Sequence, residues 1–114
     1  MSPDYISGRA KPLSEPVLLI LTALAAGPQH GYLLMREIER LSDGRVRLST
    51  GTMYGALRRL LEAGWIAAVD LDDSSRDKQG YRLTAEGRRQ LQAESERLQA
   101  LVRLARAHLR QREA

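Results

Sequence analysis

Ser49-Thr50-Gly51-Thr52-Met53-Tyr54-Gly55-Ala56-Leu57-Arg58-Arg59-Leu60-Leu61-Glu62-Ala63-Gly64-Trp65-Ile66 is the stretch on which the reading of the fold turns. With helical spacing, Met53, Leu57, Leu60 and Leu61 fall in one stripe. Gly51, Gly55, Arg58, Arg59 and Glu62 lie opposite, and Thr52 and Tyr54 sit at the flanks. Ser49 or Thr50 can cap the start and Gly64 can stop the end. A buried stripe faced by a small, hydroxyl-rich N-terminus and two arginines is what a helix that enters a DNA groove requires. An ordinary surface helix with solvated arginines has the same pattern, so the flanking segments have to decide.

Upstream, Ser14 can cap a first helix with Pro16 in its opening turn, running to about Ala26 and stopped by Gly27-Pro28. This run is apolar on nearly every side and reads as a buried central helix. A secretory signal would also place Arg9 and Lys11 before an apolar run. Ten residues are too few to cross a bilayer, however, and Glu15-Pro16 suits a helix start, so no membrane association and a cytoplasmic location are expected. A second helix is predicted over about 31–41, with Leu34, Met35, Ile38 and Leu41 inside and Arg36, Glu37, Glu39 and Arg40 outside. After a Ser42-Asp43-Gly44 turn, Arg45-Val46-Arg47-Leu48 alternates as one small strand would.

Downstream, Trp65 to Leu71 reads as a strand, Asp72 to Gln79 as a polar loop and Gly80 to Leu83 as the returning strand. Three helices followed by a hairpin is the order of a winged helix-turn-helix, a mainly α fold with a small β-hairpin (α+β). Thr84 then caps a final helix over 85–112, about 40 Å long at ~1.5 Å per residue. Leu91, Leu98 and Ala105 recur every seven residues, with Leu101, Val102 and Leu109 between them and Glu94 and Ser95 interrupting. So apolar a stripe on so long a helix predicts packing against a second subunit. The division expected is a mobile N-terminal arm over 1–13, the winged helix-turn-helix over 14–84 and a C-terminal dimerisation helix over 85–114.

Composition agrees with this and narrows the function. The 114 residues suit one domain, and 43% hydrophobic with 28% charged residues is a globular balance. Eighteen basic against fourteen acidic side chains give +4, a mild bias toward polyanionic partners such as double-stranded DNA. The absence of cysteine excludes disulfides, thiolate metal sites and a cysteine nucleophile. No nucleophile–base pair, metal-spaced cluster, phosphate loop or paired carboxylates is found, so no enzyme, cofactor or metal is expected. His30, at a helix start, reads as a capping or packing residue, and His108 as solvated or interfacial. Trp65 has two readings, a core residue or the wall of a pocket for a planar small-molecule effector. The cluster Arg103, Arg106, Arg110 and Arg112 also has two, a solvated face or added DNA affinity.

Three segments carry a specific resemblance. Gly27-Pro28-Gln29-His30-Gly31-Tyr32-Leu33-Leu34, then Gly51-Thr52-Met53-Tyr54 with Leu57, Arg59-Leu60 and Gly64-Trp65-Ile66, and finally Lys78-Gln79-Gly80-Tyr81-Arg82-Leu83-Thr84-Ala85-Glu86-Gly87 resemble, in order, the motifs of the PadR family of bacterial transcriptional regulators. The likeness runs from about Val17 to Leu91, and the single C-terminal helix is similar to the family's smaller subgroup. It implies a homodimeric repressor bound to an inverted-repeat operator and released by a small molecule. It places Ser49, Thr50, Gly51, Thr52, Tyr54, Gly55, Arg58 and Arg59 toward DNA, with Tyr54 and the wing's Arg76 and Lys78 on phosphates. The last helix, with Leu91, Leu98, Leu101, Val102, Ala105 and Leu109, would dimerise together with the first.

Two departures stand out. Gly55 replaces the family's usual proline, which loosens the helix start by up to ~1 kcal/mol relative to alanine. Gln79 and Gly80 replace basic or aromatic wing residues, and Asp70, Asp72, Asp73 and Asp77 outnumber Arg76, Lys78 and Arg82. An acidic wing repels phosphate, which leaves open a second function: a winged-helix module that binds a protein and reads no DNA sequence.

Overall fold

The computed structural model describes residues 12–71 and 79–113. Helix α1 (Glu15–Ala25) begins where Ser14 Oγ accepts a hydrogen bond from Val17 N at 3.3 Å. The apolar run is the centre of the domain: Ile20, Leu21, Ala23 and Leu24 are all buried. Gly27 follows at φ 153°, outside the range that side-chain-bearing residues favour, and turns the chain into a two-residue strand β1 (Gln29–His30). Helix α2 (Gly31–Leu41) starts at once. It buries Leu34 and Ile38 and half-buries Met35, while Leu41, expected inside, is exposed because the helix ends there.

No strand forms over 45–48, contrary to the alternation read from the sequence. Ser42 is buried and its hydroxyl accepts from Val46 N at 2.9 Å, so the turn curls back and leaves this piece beside no strand. The alternation marks burial: Val46 and Leu48 pack on the core, while Arg45 pairs with Glu15 at 2.6 Å and Arg47 approaches Glu39 at 3.9 Å.

Helix α3 (Thr50–Ala63) follows, ended by Gly64 at φ 80°, then strands β2 (Ile66–Val69) and β3 (Gly80–Leu83) and helix α4 (Ala85–Glu113). The hairpin is present as read, with β2 shorter than expected. The sheet has a third strand that periodicity could not reveal, in the order β1-β3-β2, all antiparallel. Gln29 faces Tyr81 on one side of β3, and Ala68 faces Tyr81 on the other. Gly80 is required there, since a Cβ would lie 2.6 Å from the Leu71 side chain and 2.8 Å from the Val69 carbonyl oxygen.

The core joins α1, α2, α3 and the sheet through Ile20, Leu21, Leu34, Ile38, Met53, Leu57 and Ile66, each worth ~1.5–3 kcal/mol when buried. Thr84 caps α4, its hydroxyl donating to Gly64 O at 2.6 Å and accepting from Gly87 N at 3.0 Å. The first turns of α4 belong to the domain, where Leu91 packs on the core. Glu94, read as a break in the stripe, is buried and accepts from Leu13 N at 3.1 Å as well as from Arg97. Pro12 and Leu13, assigned to the arm, therefore adjoin the body, with Leu13 held to α4. Beyond Glu94 the helix runs off the body, and the molecule measures 61 × 34 × 23 Å. Among the described residues no helix is long and apolar enough to cross a membrane.

Candidate nucleic-acid interface

Helix α3 buries Met53, Ala56, Leu57 and Leu60. The stripe is centred one position away from the sequence reading, since Ala56 is inside and Leu61 is exposed. That shift leaves Gly51, Arg58 and Glu62 in the middle of the outward face. Ser49 caps the helix, accepting from Thr52 N at 3.1 Å, and its hydroxyl donates to Thr52 Oγ1 at 3.0 Å. The two hydroxyls thus hold the helix start together, and Thr50 stands exposed beside them. A Cβ at Gly51 would meet nothing within 4 Å, so the first turn of α3 presents bare backbone to solvent. Gly55, one turn on, is half-buried, and a Cβ there would lie 3.8 Å from Arg59 Nη1.

Tyr54 links this face to the rest of the interface. A Cβ on Gly31 would lie 2.8 Å from Tyr54 Oη and 3.1 Å from Cε1, so the phenol ring rests on the start of α2. Gly31 N in turn donates to Gln79 O at 3.2 Å, at the root of the wing. Tyr54 also lies near enough to Tyr81 for its charge to add to the rise in the Tyr81 pKa, which burial chiefly causes. One side chain from α3 thereby touches α2 beside the point where the hairpin joins. Gly31 stands in the sequence as a motif residue without a stated role, because only the tertiary approach of Tyr54 gives it a purpose.

The two arginines separate. Arg58 is exposed on the outward face. Arg59, also exposed, stands at the rim of an apolar groove of about 370 Å³ between α1 and α3, walled by Leu13, Val17, Ala56, Leu60 and Trp65. Trp65 is half-buried, packs on the core and forms part of this wall. His30 occupies the N-cap position of α2 but makes no side-chain cap; it is buried and packs. Arg76 and Lys78, expected on the wing, lie outside the described residues, as do Asp72, Asp73 and Asp77.

On α4, Leu91 serves the domain's own core and Leu98 is half-buried. Leu101, Val102, Ala105 and Leu109 are exposed, joined by Leu104, which the sequence reading passed over. Its position three residues after Leu101 was the available signal.

Comparison with known proteins bears on the family and the fold. Residues 20–93 match the family model described as the transcriptional regulator PadR-like family. Over 82 residues the chain is 39% identical to an uncharacterized 37.1 kDa protein in transposon TN4556 of Streptomyces fradiae. The match takes in 72% of this chain but only 22% of that relative, so the chain spans about a fifth of its length. A transcriptional regulator of Clostridium thermocellum superposes with a TM-score of 0.70 at 23% identity, covering 94% of this chain and 96% of that one. Bacillus subtilis PadR in complex with operator DNA shares the fold with a TM-score of 0.59 at 22% identity, covering 68% of this chain and 44% of that one.

Proposed function

The chain belongs to the PadR-like family of transcriptional regulators, and from this we propose that it is a homodimeric repressor occupying an inverted-repeat operator on double-stranded DNA. The observation that carries the reading is the outward face of α3, where Gly51 and Arg58 are exposed and Gly55 has only an ordinary contact with the Arg59 side chain among the described residues. Open backbone lets a helix settle deep in a major groove, and an arginine there can take guanine O6 and N7 or a phosphate. Thr50 and Thr52 offer hydroxyls at the end of the helix that leads into the groove, and Arg59 holds the flank. Bacillus subtilis PadR, which shares the fold, is in complex with operator DNA, and this supports the DNA-binding reading. Two half-sites spaced one helical turn apart, about 34–36 Å, require two copies. The exposed leucines of α4 supply a surface for pairing them. An effector lodged beside Trp65 would bear on α3 through Ala56 and Leu60.

Titration against random genomic fragments over a salt series, with bound fragments sequenced, tests the proposal. Recovery of one inverted repeat, with affinity falling steeply as salt rises, is the expected result. Only weak binding without sequence preference, surviving at low salt alone, would assign the winged helix to a protein partner, the function to which the acidic wing points. R58E/R59E should then abolish operator binding in the first case and spare the partner in the second.

A further inference from the structure

We infer that the distal half of α4 is a second DNA-binding surface, one that holds the duplex backbone without reading sequence. The inference rests on the DNA-binding role proposed above. It begins with where the charge lies. Residues 1–96 hold thirteen basic and thirteen acidic side chains, whereas residues 97–113 hold five basic and one acidic. The whole net charge of +4 therefore belongs to the end of α4, and the winged helix itself is neutral. The surplus of basic side chains, the kind that neutralise phosphates and release counterions from a duplex, therefore lies outside the winged helix.

The arrangement of these arginines fits the task. Arg97 is taken by buried Glu94, at 2.9 and 2.7 Å. Arg103, Arg106 and Arg110 are exposed and fall within about 60° of one another around the helix, opposite Leu101 and Ala105. No acidic residue lies within four positions of Arg103 or Arg106. Like charges three and four residues apart oppose the helix by a few tenths of a kcal/mol each, a repulsion that a polyanion relieves. The three side chains span ~10 Å of helix, against one phosphate charge per ~1.7 Å of duplex axis. An anionic membrane would also attract them, but a helix lying in a bilayer interface must bury its apolar face. The proposed dimer commits that face to a second copy, leaving the arginines facing outward.

The test measures binding to a short random-sequence duplex over a salt series, using the full chain, R103Q/R106Q/R110Q and R103K/R106K/R110K. The glutamine variant should bind more weakly, with the slope of log affinity against log salt shallower by about 2–3 per chain, and the lysine variant should keep the slope. An unchanged slope in the glutamine variant overturns the inference. So does tighter binding of the parent chain to phosphatidylserine vesicles than to the duplex. Equal sedimentation mass across the three proteins shows that no difference arises from assembly. If genomic selection recovers no inverted repeat, the operator reading fails, while the random-duplex slope still decides the role of α4.

Discussion

An alanine at Gly87 would set its methyl group directly on the Trp65 carbonyl oxygen, and the same substitution at Gly51 would meet nothing. The two glycines therefore serve different ends. At Gly87 the missing side chain lets α4 leave the sheet beside Trp65, whose carbonyl also accepts from Thr84 N at 3.0 Å. G87A should lower the urea midpoint with an unchanged m-value, by about 1–3 kcal/mol or more if the helix cannot shift. At Gly51 no packing is at stake, so G51A should raise the thermal midpoint by up to ~1 kcal/mol of stability through helix propensity while weakening operator binding. A variant that is more stable and equally tight would remove Gly51 from the interface. Tyr81 gives a pH prediction. Burial, and then the neighbouring Tyr54, hold its phenol above the ordinary value of 10.0. The neutral form is favoured in the fold, so its contribution is intact below pH ~10 and is lost as pH rises toward the folded-state value. Tyrosinate absorbance should show one late-titrating group in the native protein, and Y81F should delete it and flatten the alkaline loss of stability. Sequence motifs marked Gly51, Gly87 and Tyr81 together, but only packing distinguishes the glycine that fits from the glycine that exposes.

At the scale of elements, local chemistry marked the boundaries well. Ser49, Gly64 and Thr84 cap or stop helices where their residue types predict, because capping is settled within one turn of chain. Elements that depend on a distant partner were misread or missed. Strand β1 is two residues long and exists only because β3 passes beside it. The alternating 45–48 piece has no such neighbour and stays irregular. Glu94 looked like a flaw in an apolar stripe, since its bond to Leu13 N joins positions 81 residues apart. The Tyr54–Gly31 contact is of the same kind and has a testable consequence. A methyl group on Gly31 would displace the ring and, with it, the register between α3 and the wing root. G31A should reduce operator affinity more than it reduces binding to random duplex, with the salt slope unchanged. In a Y54A background, where no ring remains to be displaced, the same substitution should cost much less. Equal losses in both backgrounds would mean that Gly31 acts on α2 alone.

For the whole molecule, the fold was legible because helix periods, caps and turns agree over most of the chain, while assembly is written only as an excess of apolar surface. Among the described residues, Leu101, Val102, Leu104 and Leu109 are each about half or more exposed on a helix that has left its domain. Burying them against a second copy would gain ~25 cal/mol per Å² of apolar surface, against the rotational and translational cost of association. Which face meets which cannot be settled by a periodicity that two neighbours would share: the arc runs from Leu104 through Leu101 and Ala105 to Val102, wider than a strict heptad seam. The part of α4 that serves the domain and the part that serves assembly can nevertheless be cut apart. Leu91 and Glu94 hold the helix to the core, so a chain ending at Ala100 keeps every contact described for the winged helix and loses the exposed leucines. Sedimentation equilibrium should give a dimer for the full chain and a monomer for the shortened one, with the near-ultraviolet signal of Trp65 unchanged. L101Q/L109Q should give the same monomer without removing the arginines of α4 or setting a carboxylate beside them. Operator affinity should then fall steeply in this variant, because one α3 helix reaches one half-site, while its binding to random duplex falls much less. A dimer that survives both changes would move the interface off the distal half of α4, leaving α1 and the groove beside Trp65 as the surface to examine next.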